Sequence, residues 1–145
     1  MEKICNQLKL ELLSKPENIG LARLTVASFA AQLDFTLNEI EELRVVVSEA
    51  VSNAVLHGYA QKEGMVRIEA TLYPGKLELV VEDQGVGMED VDQAREPAYT
   101  TSPERMGLGF TFIESFMDRV EIQSQPGQGT RVWMEKSPEG KEPEV

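Results

Sequence analysis

The chain has 145 residues, 41% of them hydrophobic and 27% charged, which suits one globular domain with its own core and leaves little room for a second. A net charge of −11 and a pI near 4.6 exclude direct binding to duplex DNA or an anionic membrane, since both need clustered Lys and Arg to displace counterions. One cysteine, Cys5, excludes an internal disulfide, and no apolar run approaches the ~20 residues of a bilayer span.

In chain order, Leu8, Leu10 and Leu12 alternate with Lys9 and Glu11, which predicts a first strand. Ser14 and Glu17 form a capping-box signature, Pro16 suits a first helical turn, and a helix is expected from Pro16 to Leu33. A second start signal, Thr36 with Glu39, opens a helix carrying Ile40, Leu43, Val47, Ala50, Val51 and Ala54 up to Gly58. The period then changes to two. Val66, Ile68, Ala70 and Leu72, the Pro74-Gly75 turn, and Leu77, Leu79 and Val81 predict a β-hairpin.

Asp83-Gln84-Gly85-Val86-Gly87 follows, and then a polar stretch, 88–106, with Pro97, Pro103 and Thr100-Thr101-Ser102. A loop of that length inside a compact domain is usually functional. Leu108 to Met117 predicts a third long helix. Val120 and Ile122, then Val132 and Met134, flank Pro126-Gly127-Gln128-Gly129 as a closing hairpin. The phenylalanines 110, 112 and 116, with Met117, read as core. Residues 137–145 read as a disordered acidic tail after a domain of residues 1–136. The expected fold class is an α/β (α+β) two-layer sandwich, with helices on one face of a mixed, mostly antiparallel sheet.

Several of these residues carry chemistry. Glu49, Asn53 and the only histidine, His57, are spaced i, i+4, i+8, so they share one side of the second helix beside its apolar stripe. An Asn carbonyl oxygen can ligate Mg²⁺ while phosphate and water complete the octahedron, and a Glu one turn earlier can take a proton from a hydroxyl. A Glu/Asn pair alone equally describes a solvated helix face. His57 fits helix-end packing better than a pocket role. Asp83, where a strand runs out, can accept from an exocyclic amine such as the N6 of adenine, and Gly85 and Gly87 let the backbone come close. A plain turn has the same composition.

Met106-Gly107-Leu108-Gly109-Phe110 opens a helix whose first N–H groups and dipole favour an anion, although a simple turn into a helix looks alike. Arg105 directly before it can stabilise charge on a γ-phosphate, or sit idle in solvent. No Gly-x-x-x-x-Gly-Lys-Ser/Thr run occurs, so this is no P-loop protein.

The order of these motifs, Glu-x-x-x-Asn, Asp-x-Gly-x-Gly, a long loop, Gly-x-Gly and a late Gly-Thr, resembles the superfamily of gyrase, a heat-shock chaperone, histidine kinases and a mismatch-repair ATPase. That resemblance implies the histidine-kinase-like ATPase (Bergerat) fold. Asn53 then ligates Mg²⁺, Asp83 binds adenine with Thr130 in support, and residues 88–106 form a lid over the phosphates. Within it the chain is similar to the anti-sigma F factor family of spore-forming bacteria over about residues 8–135. The matching stretches are Leu21 to Phe29, Val47 to Ala54, His57-Gly58-Tyr59, Gly109-Phe110-Thr111 and Phe116-Met117-Asp118. Stress-response anti-sigma kinases share the ATP motifs and match the first helix less well.

This closer resemblance implies a homodimer in the cytoplasm, with no direct nucleic-acid or membrane contact, that holds a sigma factor. It also implies transfer of phosphate from ATP, with Mg²⁺, to a serine of an anti-anti-sigma protein, leaving ADP. Glu49 is the implied base and Arg105 the implied γ-phosphate stabiliser, while Thr100, Thr101, Gly107, Leu108 and Gly109 line the phosphates. The lid departs from the family by being shorter between Thr101 and Gly107. Arg23 is a hypothetical partner contact, or a solvated helical residue. A non-enzymatic ATP-gated binding module is the competing function, and Glu49 discriminates, because a pure switch needs no carboxylate one turn before the metal-ligating Asn.

Overall fold

The computed structural model describes residues 3–58, 63–85 and 106–139. Strand β1 is Asn6–Leu13, and helices α1, Glu17–Ala30, and α2, Leu37–Asn53, follow it. The hairpin is β2, Met65–Tyr73, with β3, Lys76–Asp83; then come α3, Met106–Phe116, β4, Arg119–Ser124, and β5, Thr130–Lys136. Among the described residues every strand pairing is antiparallel, in the order β1-β2-β3-β5-β4.

The period-two leucines and valines place one face of the sheet against the helices. Ile68, Leu79 and Met134 from the sheet close on Val26 of α1, Leu43 and Val47 of α2, and Phe110 of α3, all fully buried or nearly so. Each such side chain contributes about 1.5–3 kcal/mol on leaving water. Phe116 and Met117 join this core as expected, but Phe112 does not. It is 41% exposed and stacks on Phe116 with ring centroids 6.2 Å apart, because its helical phase turns it outward.

The opposite face is covered by charge. Lys9 pairs with Glu69 (3.8 Å), Arg67 with Glu11 (3.1 Å) and Glu82 (3.4 Å), and Lys76 with Glu135 (3.2 Å). Arg119 lies over the Trp133 ring, 5.3 Å from its centroid. Thr71 and Val80 are buried on this face as well, and Thr71 Oγ1 accepts from Gln7 Nε2 (3.0 Å).

The helix starts differ from each other in an instructive way. Thr36 and Glu39 make the predicted reciprocal cap of α2: the Glu39 N–H donates to Thr36 Oγ1 (3.1 Å) and the Thr36 N–H to Glu39 Oε1 (2.9 Å). Ser14 does not cap α1, as its pattern suggested. Its hydroxyl accepts from the Gly64 N–H (2.9 Å), and its own N–H donates to the Gly64 carbonyl (2.8 Å), tying β1 to the start of β2. Sheet closure outcompetes the local cap, and α1 ends at Ala30, short of Leu33. Ser137 and Glu139, placed in the tail by composition, are held by the domain. The Ser137 N–H donates to Asp118 Oδ2 (2.8 Å) and the Glu139 N–H to Glu39 Oε2 (2.8 Å). Beside them Lys136 is buried, donating to the Phe116 carbonyl (2.7 Å) with Glu42 at 3.8 Å.

Candidate functional site

The site begins where α2 changes its winding. The α-helix ends at Asn53 and continues as a π-helical turn, Ala54–Gly58, where an unbroken α-helix to Gly58 was expected. Such local unwinding concentrates at functional positions. This turn packs against β3, so the Asn53 end of α2 and the Asp83 strand come together. Asn53 is half-buried, and its amide Nδ2 is fully buried with no hydrogen-bond partner among the described residues. A buried donor left unpaired costs about 1–3 kcal/mol, so this amide suits a site completed by an oxygen-rich ligand. Glu49, one turn earlier, is also half-buried.

Asp83 sits in register with Thr130 on the helix-facing side of the sheet and is 5% exposed. Its Oδ1 accepts from the Gly85 N–H (2.8 Å). Burial pushes this carboxyl above the ordinary range; the N–H groups of Gly85 and Thr130 pull it back, and the neighbouring Glu82 charge adds to the rise. Two oxygens carry about four lone pairs, so acceptor capacity remains for an incoming amine. Gly129, at φ +84°, explains how the last hairpin approaches so closely. A Cβ there would lie 2.1 Å from the Asp83 carbonyl oxygen.

Behind Asp83 lies a pair of hydroxyls that sequence reasoning missed in part. Ser124 Oγ donates to the Gly129 carbonyl (3.0 Å) and lies 2.8 Å from Thr130 Oγ1. Thr130 was anticipated, whereas Ser124 carried only the weak signal of a serine closing a strand before a Pro-Gly turn. An open cleft of about 570 Å³ reaches these groups, lined by Asp83, Gln84, Ser124, Gln128, Gly129 and Thr130 among others.

A second cleft, of about 390 Å³, lies between α1 and α2 and includes Glu49 with Arg23, Arg44 and Ser48. Arg23 is no idle solvated residue. It is half-buried, its Nη1 donates to Ser48 Oγ at 3.4 Å, and its Nε is buried without a partner among the described residues. Glu49 thus borders a surface opening as well as lying one turn from Asn53.

Gly107, Leu108 and Gly109 form the first turn of α3, which starts at Met106 and packs along α2. Gly87, Thr100, Thr101, Arg105 and the lid, and the His57 side chain, lie outside the described residues. Among the described residues no group of three His, Cys, Asp or Glu side chains could hold a metal ion. A divalent cation at Asn53 therefore fits only if phosphate and water supply most of its ligands, which is how Mg²⁺ is commonly held.

Comparison with known proteins bears on this arrangement. The profile of the histidine kinase-like ATPase domain matches residues 12–136. An anti-sigma F factor of Clostridium kluyveri is 47% identical over 133 residues, 90% of this chain and 94% of that protein. An anti-sigma F factor of Clostridium acetobutylicum is 48% identical over 90% of this chain and 93% of its own length, and one of Halalkalibacterium halodurans 47% over 90% and 92%. Among solved structures, the RsbU and RsbW domains of Rv1364c from Mycobacterium tuberculosis align with a TM-score of 0.65 at 20% identity, covering 91% of this chain and 32% of that one. The mycobacterial sensor histidine kinase MprB aligns with a TM-score of 0.58 at 19% identity, covering 90% and 97%. At these identities the structural matches speak for the fold alone.

Proposed function

The chain belongs to the anti-sigma F factor family and carries its histidine kinase-like ATPase domain; from that premise we propose an ATP-dependent anti-sigma factor that is also a protein serine kinase. It holds a sporulation sigma factor and phosphorylates a serine of an anti-anti-sigma protein, acting as a cytoplasmic homodimer. The observation that carries the nucleotide reading is Asp83, a buried acceptor at a strand end, set beside Thr130 at the mouth of a cleft.

Asp83 and Thr130 take the exocyclic amine of adenine, with Gly85 and Gly87 giving the ring room. Asn53 holds Mg²⁺ through its carbonyl oxygen, and its unpartnered Nδ2 donates to a phosphate oxygen or water. ATP with Mg²⁺ supplies the transferable γ-phosphoryl group and neutralises its charge. Thr100, Thr101, Gly107, Leu108 and Gly109 line the phosphates, and Arg105 stabilises charge at the γ-position. Glu49, open to the cleft it shares with Arg23, accepts the proton of the partner's serine hydroxyl.

The test is transfer of radiolabel from ATP, with Mg²⁺, to an anti-anti-sigma protein, run beside Glu49→Ala. Phosphoserine on the partner with the native chain, and almost none with a variant that still binds ATP, is the expected result. ATP binding and partner capture without transfer by the native chain would leave a nucleotide-gated binding module as the better account.

A further inference from the structure

The two halves of the nucleotide site rest on different layers of the molecule. Asp83 and Thr130 belong to the sheet, on β3 and β5. Asn53 closes α2, and the Gly107–Gly109 turn opens α3. Between the layers lies a core of side chains such as Val47, Leu79 and Phe110. Apolar contact has no direction, so it holds a helix down better than it fixes its position along its axis.

At their far ends both helices are joined to the sheet by polar groups instead. Lys136, at the end of β5, is 3% exposed, and its amine donates to the carbonyl of Phe116, the last residue of α3, at 2.7 Å. The same amine lies 3.8 Å from Glu42 Oε1 on α2. The residues after it continue the join. The Ser137 N–H donates to Asp118 Oδ2 (2.8 Å), and the Glu139 N–H to Glu39 Oε2 (2.8 Å), on the side chain that also caps α2. From the other side, the Asp118 N–H donates to the Glu135 carbonyl (2.9 Å). The end of α3 thus lies beside the start of α2 while the two helices pack together, so they run in opposite directions and their site-bearing ends meet.

We propose that Lys136 is a positioning residue for the phosphate half of the site: it sets where α3 and α2 stand along their axes, and so where the Gly107–Gly109 N–H groups and Asn53 meet the phosphates. The proposal rests on the nucleotide reading above. The 11 residues of α3 make a hydrogen-bonded rod of about 16 Å, and a slide along its axis carries both ends equally. The last carbonyls of a helix have no partner within it, so an amine fixed there acts as a directional stop. Burial makes that bond stronger than the same bond in water. A displacement of about 1 Å is enough to cost a site about a hundredfold. Asp83 and Thr130 are held together by strand pairing, so the base half does not depend on the stop.

Two ligands separate the halves: ATP with Mg²⁺ engages both, and adenosine engages the base half alone. Titration calorimetry on the native chain, Lys136→Met and Asp118→Ala, with adenosine measured by competition, tests the proposal. Lys136→Met keeps a long side chain and removes the donor, whereas Asp118→Ala removes one contact of the join from an exposed position. ATP affinity should fall about tenfold or more in Lys136→Met and about threefold in Asp118→Ala, with adenosine affinity within about twofold of native in both. An unchanged ratio of the two affinities in the folded variants would overturn the proposal, whether both hold or both fall, because a merely structural role loosens the two halves alike. Should Lys136→Met not fold, Asp118→Ala decides by the same ratio. A native chain that binds ATP no better than adenosine would overturn the phosphate assignments themselves, and the proposal with them.

Discussion

Ser124 Oγ and Thr130 Oγ1 lie 2.8 Å apart, and the same Ser124 oxygen donates to the Gly129 carbonyl. A serine hydroxyl has one proton, and a carbonyl can only accept. The shared bond therefore runs from Thr130 to Ser124, leaving the Thr130 oxygen with lone pairs alone. Beside the Asp83 carboxylate this makes a mouth of acceptors, matched to an amino group and mismatched to a carbonyl. Ser124→Ala frees the Thr130 proton to point into the cleft. ATP affinity measured by calorimetry should fall several-fold, with about 1 kcal/mol or less lost in unfolding. Unchanged affinity would show that the hydroxyl direction does not matter.

Gly129→Ala should be severe. The added carbon meets the Asp83 carbonyl oxygen at 2.1 Å and forces a side chain onto φ +84°. Backbone contacts of that kind do not yield cheaply, so a loss of about 2 kcal/mol or more in urea unfolding is expected. Gly127→Ala is the control. It shares the positive φ, at +78°, but its Cβ would meet nothing within 4 Å, so it should cost distinctly less.

Asp83→Asn separates binding from folding. An amide keeps an acceptor for the Gly85 N–H but turns a donor toward the cleft, so ATP affinity should drop at least tenfold. The pH dependence follows from burial, which raises the native carboxyl above its ordinary 3.8. A raised folded value means that this group's contribution is full below the unfolded value and is lost as pH rises through the folded one. Relative to Asp83→Asn, the native chain should lose stability as pH climbs from about 4 through that window. A constant difference across urea titrations from acid to neutral pH would refute the linkage.

Glu39→Gln should behave in the opposite sense. Burial pushes the Glu39 carboxyl up. The N–H groups of Thr36 and Glu139, Lys136 and the Thr36 hydroxyl outweigh burial and hold it below its ordinary 4.5. A depressed folded value gives stability present above the unfolded value and lost as pH falls through the folded one. The variant should be less stable by about 1 kcal/mol at pH 7, with the deficit shrinking below about pH 4. A deficit that persists undiminished in acid would mean that shape, and not charge, holds the cap.

Period alone made most of the fold legible. The Leu8–Leu12 alternation, the Pro74-Gly75 hairpin and the Thr36/Glu39 cap all stand where their spacing put them. Local rules failed where a distant segment competed, as when Gly64 claimed the Ser14 hydroxyl and the capping position Ser14 seemed to mark went unused. In the site, Asp83 and Thr130 were legible as a strand end and a Gly-Thr pair, and register brings them side by side. Ser124 was not, because its meaning depends on where Gly129 turns the chain back. The π-helical turn after Asn53 likewise has no mark in the residue spacing. Nor does the Arg23 contact with Ser48, which joins two helices whose crossing the sequence does not state.

The last strand among the described residues, β5, is not at the rim of the sheet but between β3 and β4. During synthesis, therefore, β1, β2 and β3 can zip together early, yet β3 must wait with one side open while the remaining two-fifths or so of the chain leaves the ribosome. That waiting side belongs to a strand carrying Leu77, Leu79, Val80 and Val81, all buried in the finished protein. A nascent chain stalled at this point exposes an apolar strand edge, and the final hairpin serves as its seal.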